Sequence, residues 1–190
     1  MAATPSSREI KRIGETAGFD LVGIAPAEPV ETFERYCEWI ERGDHGPMEC
    51  LRQRAGQRRD PRALLSEARS VIACALSYLT PHPFAVDSAS NDRPVVSRYA
   101  WGRDYHRVMR KRLKAFARAI ESRLDRPLRW RACVDTAPIL ERAFAARAGI
   151  GWIGKNTCLI HPTFGSFLFL GELLVDLDLE PDRPVPDRCG

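Results

Sequence analysis

Asp135 stands where an α/β protein would place a working acid. It follows the apolar run over 129–134 and precedes Thr136-Ala137-Pro138. A side chain there projects from the C-terminal edge of a sheet, the usual place for a site. Two readings compete. Asp is a favoured N-cap for the helix expected over 138–148. It can equally be a general acid, which needs a raised pKa from partial burial against a cofactor or an apolar wall. Other polar groups read more plainly. Asp104, in Gly102-Arg103-Asp104-Tyr105-His106, reads as the cap of a long helix, with His106 on the surface. Arg58-Arg59-Asp60-Pro61 can bind phosphate or be a solvated charge run, the commoner case. His45, His82, His106 and His161 lack the mutual spacing of a zinc site.

The glycine-rich stretch Gly149-Ile150-Gly151-Trp152-Ile153-Gly154-Lys155-Asn156 imitates two nucleotide motifs, G-x-G-x-x-G and G-x-x-x-x-G-K. Both need a strand before the loop and a helix after it, so that the helix N-terminus meets the phosphate. Here the order is reversed: 139–148 is helical in pattern and Cys158-Leu159-Ile160 is strand-like. Asn156 also replaces the Ser or Thr that would hold magnesium. Gly149 suits a left-handed helix C-cap. The remaining glycines permit close approach of the backbone, either to a large planar cofactor or to the sheet itself.

Six cysteines are present, at 37, 50, 74, 133, 158 and 189, none spaced C-x-x-C. With no apolar leader visible at the N-terminus, a disulfide framework is a poor reading. Cys74 and Cys133 lie in apolar runs and read as inert core thiols. Cys189 alone cannot hold a cluster, although it could open a ferredoxin-type cysteine run.

These groups need elements to position them. Helices are expected over 6–17, 30–42, 104–124 and 138–148, with a short one opened by Asp60-Pro61. Strands are expected over 19–25, 70–78, 94–100, 129–134 and 167–175, the last interrupted by Gly171. The 70–78 strand, mostly apolar, reads as central. His45-Gly46-Pro47-Met48 reads as a turn, 80–93 as a loop, and 178–188 as an extended linker. The sum is an α/β fold with a single mixed sheet flanked by helices. At 190 residues and 44% hydrophobic content the chain can build a core. No apolar run approaches the roughly 20 residues that span a bilayer, so a cytoplasmic location is expected. The net charge of +4 is mild, but Arg107, Lys111, Lys114 and Arg118 recur at helical spacing. They form either a stripe facing a nucleic acid or a plain solvated face.

Several blocks in order carry a resemblance. They are Gly18-Phe19-Asp20, Val22-Gly23-Ile24, His45 to Met48, Arg58 to Pro61, Ser97 to His106, Val134 to Arg142, Ala148 to Thr157, Gly165 to Glu172, and Cys189-Gly190. Together they resemble epoxyqueuosine reductase, an oxidoreductase of tRNA queuosine modification. The resemblance implies a nitroreductase-like cobalamin-binding domain, similar to that of reductive dehalogenases. It implies reduction of epoxyqueuosine to queuosine at the tRNA wobble position, using cobalamin fed by two 4Fe-4S clusters. It places the proton donor at Asp135. It places cobalamin contacts at Arg58, Ser97, Asp135, Asn156, Thr157, Cys158, Leu159 and Leu170, and the first cluster ligand at Cys189. Residues 1–177 would be the cobalamin domain, and 178–190 a linker into a ferredoxin-like domain absent from this chain. The chain alone would then be inactive, with no electron path to cobalt. The resemblance also implies a tRNA partner, a flavodoxin or ferredoxin system as electron donor, and a monomer away from membranes. Two alternatives stand beside it: an inactive corrinoid-binding fragment, and a tRNA-binding module without catalysis.

Overall fold

A computed structural model of the chain describes residues 4–83 and 94–189. The expected 80–93 loop therefore lies mostly outside the described residues, as do Gly190 and the first three residues. The elements run α1 (Ser7–Thr16), β1 (Leu21–Pro26), α2 (Phe33–Glu41), α3 (Glu49–Gln53), α4 (Ala55–Arg59), β2 (Ser70–Ser77), α5 (Tyr105–Glu121), β3 (Trp130–Cys133), α6 (Glu141–Arg147), β4 (Trp152–Ile153), β5 (Leu159–Ile160) and β6 (Leu168–Val175). Single 3₁₀ turns cover Pro61–Ala63 and Arg98–Ala100.

The helices begin and end where their chemistry dictates. Ser6 caps α1 and Glu9 reaches back to the Ser6 amide, satisfying two donors that the first turn leaves open. Asp104 caps α5 by accepting from the His106 amide. Gly149 takes a left-handed φ of +73° just past α6, as a C-cap glycine should.

Four strands form one sheet in the order β1-β2-β6-β3. β2 is internal, as its apolar run suggests. Every ladder is antiparallel, which corrects the expected mixed sheet. Strand direction depends on where each long connection returns, and no local residue pattern records that. β4 and β5 make a separate two-stranded ribbon. β6 runs unbroken through Gly171. A side chain there would collide with Met109 and Leu113 of α5, so this glycine lets the helix pack close rather than breaking the strand.

Both faces of the sheet are buried. Ile72, Cys74, Leu173 and Val175 face α1 and α5, packing on Ile10, Met109, Leu113 and Phe116. Val71, Ala73, Ala75 and Leu174 face α6, packing on Phe144 and Ala145. The alternation follows the two-residue period of a strand.

Residues 94–100 are not a strand. They form an irregular run and a 3₁₀ turn. Arg98 donates to the carbonyls of Thr80, His82 and Pro83, and the Trp101 indole donates to Val96. The Val96 carbonyl is met by the Trp101 side chain and not by a strand ladder, and Val95 and Val96 are both exposed. The 178–188 segment is extended but docked. Asp182 exchanges main-chain and side-chain bonds with Ile24 on the β1 edge and pairs with Lys11 at 2.6 Å. Leu179 is buried. Covering a sheet edge in this way removes open pairing groups.

Candidate active site

The end of the sheet where β2 and β3 finish and β6 begins carries an aromatic wall. Tyr78 lies between Phe167 and Phe169, with ring centroids 5.6 and 4.5 Å away. Tyr105 stacks on Phe169 at 4.3 Å and on His106 at 4.0 Å. Beside these rings stands Asp135, just after β3.

Asp135 is not a helix cap. The N-cap of α6 is Leu140, and Asp135 instead adopts a left-handed φ of +51°. Asp tolerates that conformation better than most residues, but it still needs support. Glu141, in the first turn of α6, supplies it by accepting from the Asp135 backbone N–H at 2.6 Å. The next residue, Arg142, donates to the carbonyl of Thr157. Thr157 is the other non-glycine left-handed residue among those described, with φ +64°. Two adjacent α6 side chains thus hold the two irregular backbone positions. One is the expected acid, and the other is in the expected cofactor turn.

His106 is not a free surface residue, as its position suggested. Its Nδ1 lies 2.8 Å from Asp104 Oδ1, and its Nε2 lies 3.1 Å from Asp135 Oδ2. Burial alone would lower its pKa, but the bonds to Asp135 and Asp104 outweigh that and raise it. The Tyr105 hydroxyl is pushed up to about 12, by burial first and then by the charges of Asp135 and Glu141.

Beneath Asp135 the acids continue inward. Burial pushes the Glu141 carboxyl up to about 7, against the pull of the Asp135 amide and with the added push of the Asp135 charge. Glu172 on β6 pairs with Cys133 and is fully buried, and neither carboxylate oxygen has a hydrogen-bond partner. Its pKa lies well above the usual range, from burial first and the Glu141 charge second. A carboxyl so placed keeps its proton.

The other expected contacts spread over two regions. Asn156, Thr157 and Cys158 form the exposed tip between β4 and β5, where Asn156 Oδ1 accepts from the Cys158 amide at 3.1 Å. Leu159 follows with its side chain buried in the core, and Leu170 is half-buried on β6. Arg58 lies in α4, bonded to the Arg54 carbonyl, with its guanidinium 5.6 Å from the Tyr36 ring centroid. Ser97 is exposed before the 3₁₀ turn and makes no cap bond. No hydrogen bond, ion pair or ring contact described here joins Arg58 or Ser97 to Asp135.

The glycines turn out to serve packing. A side chain at Gly149 would meet the Arg183 carbonyl, one at Gly151 the Ile160 carbonyl, and one at Gly154 the Ile160 side chain. The chain itself fills the space beside these glycines.

Cys189 accepts from the Lys155 amide at 3.3 Å. Among the described residues no three His, Cys, Asp or Glu groups converge as metal ligands. The described donors therefore do not fit a 4Fe-4S cluster, which would need further thiolates.

The family model "Epoxyqueuosine reductase QueG, DUF1730" matches residues 58–136, which hold α5, β3, Asp104, His106 and Asp135. The epoxyqueuosine reductase of Gloeobacter violaceus is 45% identical over 188 residues, covering 98% of this chain and 57% of the relative. Over nearly its whole length the chain is similar to epoxyqueuosine reductases. It spans about half the length of the curated relatives it matches. A crystal structure of an epoxyqueuosine reductase with an epoxyqueuosine-modified tRNA-Tyr stem loop superposes with a TM-score of 0.80 at 29% identity, over 96% of this chain and 48% of that one. A reductive dehalogenase structure tied to B12-dependent dehalogenation shares the fold, with a TM-score of 0.57 at 15% identity over all of this chain and 22% of that one.

Glu141, Arg142 and Glu172 were present in the sequence blocks, but their roles were not evident there. Glu172 had a signal: a lone charge inside an apolar internal strand. It also has a pH consequence. An unfolded glutamate ionises above about pH 4.3, whereas buried Glu172 stays protonated. Above that pH the unfolded state binds fewer protons, so stability falls as pH rises. Urea denaturation should show the parental chain losing stability between pH 5 and pH 8, by up to about 1.4 kcal/mol per pH unit for this group. Glu172→Gln should flatten that loss by at least about 1 kcal/mol across the range. Parallel pH curves for the two proteins would contradict the assignment.

Proposed function

We propose that this chain is the cobalamin-binding, catalytic part of an epoxyqueuosine reductase, reducing epoxyqueuosine in tRNA to queuosine. The observation that carries this reading is the α6 clamp. Glu141 and Arg142 fix Asp135 and Thr157 together, so the acid and the proposed corrinoid turn form one assembly. The exposed polar tip Asn156-Thr157-Cys158, with Leu170, suits a corrinoid edge bearing amide groups. Arg58 and Ser97 would contact more distant parts of so large a ligand, and Leu159 would contribute through its main chain.

Bound corrinoid would supply the electrons that break the carbon–oxygen bond. The chain's own residues orient the substrate and move the proton. Asp135 is the proposed general acid, delivering a proton to the departing oxygen. The aromatic wall of Tyr78, Phe169 and Tyr105 keeps that side of the site dry and offers flat faces to a base. Residues 1–177 would form this domain. The 178–190 segment would lead into a ferredoxin-like domain, with Cys189 as the first 4Fe-4S ligand, reduced by a flavodoxin or ferredoxin system. No helix among the described residues is long and apolar enough to cross a membrane; a cytoplasmic, monomeric enzyme is part of the reading proposed here.

Arg107, Lys111, Lys114 and Arg118 are all exposed along α5, the helix whose first turn carries His106. This favours a tRNA-binding role for the stripe. Replacing all four with Gln should weaken tRNA binding and flatten its dependence on salt, because fewer counterions are released. An unchanged slope would mark a plain solvated face.

The catalytic reading is tested by single-turnover reduction. The chain is loaded with cobalamin, reduced with titanium(III) citrate so that no cluster is needed, and given an epoxyqueuosine-bearing anticodon stem loop. Asp135→Asn should lower the rate by about 10² to 10⁴ while cobalamin affinity is nearly unchanged. Parental rates in the Asn variant would refute the role of Asp135.

A further inference from the structure

We propose that Asp135 does not donate alone: His106 is the group that reloads it, and Asp104 holds His106 in the orientation that does so. This rests on the epoxide-reduction reading above and adds a second proton-handling residue to it.

The chemistry calls for such a group. Removing an epoxide oxygen as water and leaving a carbon–carbon double bond takes two electrons and two protons. Both carbon–oxygen bonds break, two oxygen–hydrogen bonds form, and the electron pair supplied by the reduced corrinoid ends in the new double bond. A single carboxyl delivers one proton. It must be reloaded while the substrate still covers the site.

His106 is placed for that task. Asp104 Oδ1 is 2.8 Å from Nδ1 and also accepts from the His106 backbone amide at 3.0 Å. Nδ1–H is thereby committed to Asp104. The 3.1 Å contact between Nε2 and Asp135 Oδ2 then requires a proton between them, since two lone pairs would repel. That proton lies either on His106, paired with the Asp135 carboxylate, or on Asp135, facing neutral His106. The pair thus holds one proton, and the second comes from water. Asp135 delivers the shared proton to the leaving oxygen, which leaves its carboxylate facing neutral His106. His106, whose side chain is 30% exposed, then takes a proton from water on its ring and passes it through Nε2 to Asp135, which delivers it as the second.

The surrounding charges permit this. On α5 the ring meets Asp104 and Tyr105, and Arg107 lies 3.7 Å from Asp104. Across the gap it meets Asp135, with the Glu141 carboxyl behind. Arg110 is turned toward Thr136 Oγ1 at 3.3 Å. The direct partners of the imidazole are carboxylates, which favour its protonated form.

The test begins with NMR titration of the histidine ring protons in the chain as it stands. His106 should titrate above an unperturbed histidine, and its midpoint should fall by about one pH unit in Asp135→Asn and again in Asp104→Asn. A His106 midpoint unmoved by Asp135→Asn would overturn the pairing. The second readout is the pH profile of the single-turnover reaction, which a merely structural histidine would leave parallel to the parent. His106→Gln should keep most of its rate at pH 5.5, where bulk acid reloads Asp135, and lose about tenfold or more by pH 8. A uniform loss, or none, across that range would overturn the reloading role. Failure of the parental chain to turn over would count against the epoxide-reduction reading, and the titration would still decide the pair.

Discussion

One hydrogen bond holds the site together, from the backbone N–H of Asp135 to the Glu141 carboxylate. A non-glycine residue in the left-handed region costs roughly 1–2 kcal/mol. A hydrogen bond contributes about 0.5–1.5 kcal/mol to a neutral acceptor and about 1.5–3 kcal/mol to a charged one. With the Glu141 pKa at about 7, the bond offsets the conformation it imposes when Glu141 is ionised, with little to spare. Without it, the loop after β3 has no evident reason to turn Asp135 toward His106. Arg142 performs the matching task for Thr157. The register of one helical turn thus sets the distance between the acid and the turn of the β4–β5 ribbon.

The acids around this bond form a gradient. Asp135 is half exposed, Glu141 mostly enclosed, and Glu172 fully buried without a partner. From Glu141 to Glu172 deeper burial makes ionisation harder. The inner end stays neutral and burdens the fold at alkaline pH. A buried acid with no hydrogen bond is costly, and its position beneath the site places that cost where function would concentrate it.

Much of the fold was legible in the sequence. The start of α1, the Asp104 cap, the Gly149 C-cap and the internal β2 strand all have local causes, and each was readable from a few residues. What escaped depends on distant partners. The antiparallel ladders follow from chain returns of more than thirty residues. Residues 94–100 looked like a strand because Val95 and Val96 are β-formers, but Arg98 and Trp101 tie that backbone to loops. The glycines of 149–154 allowed either a cofactor or packing, and Ile160, returned by the β4–β5 ribbon, and the Arg183 carbonyl of the C-terminal segment occupy the space. Asp135 was recognisable as a candidate by position. That it is tied to His106 and Glu141, and is not a cap, required the fold, because those residues meet it from two different helices.

The most direct measurement is hydrogen exchange at the Asp135 amide. In the parental chain that amide should be protected, although it belongs to no helix or strand. Glu141→Ala should speed its exchange by about tenfold or more, equivalent to about 1.4 kcal/mol of lost local protection, while amides within β2 exchange as before. An Asp135 amide that exchanges at the same rate with and without Glu141 would contradict the account.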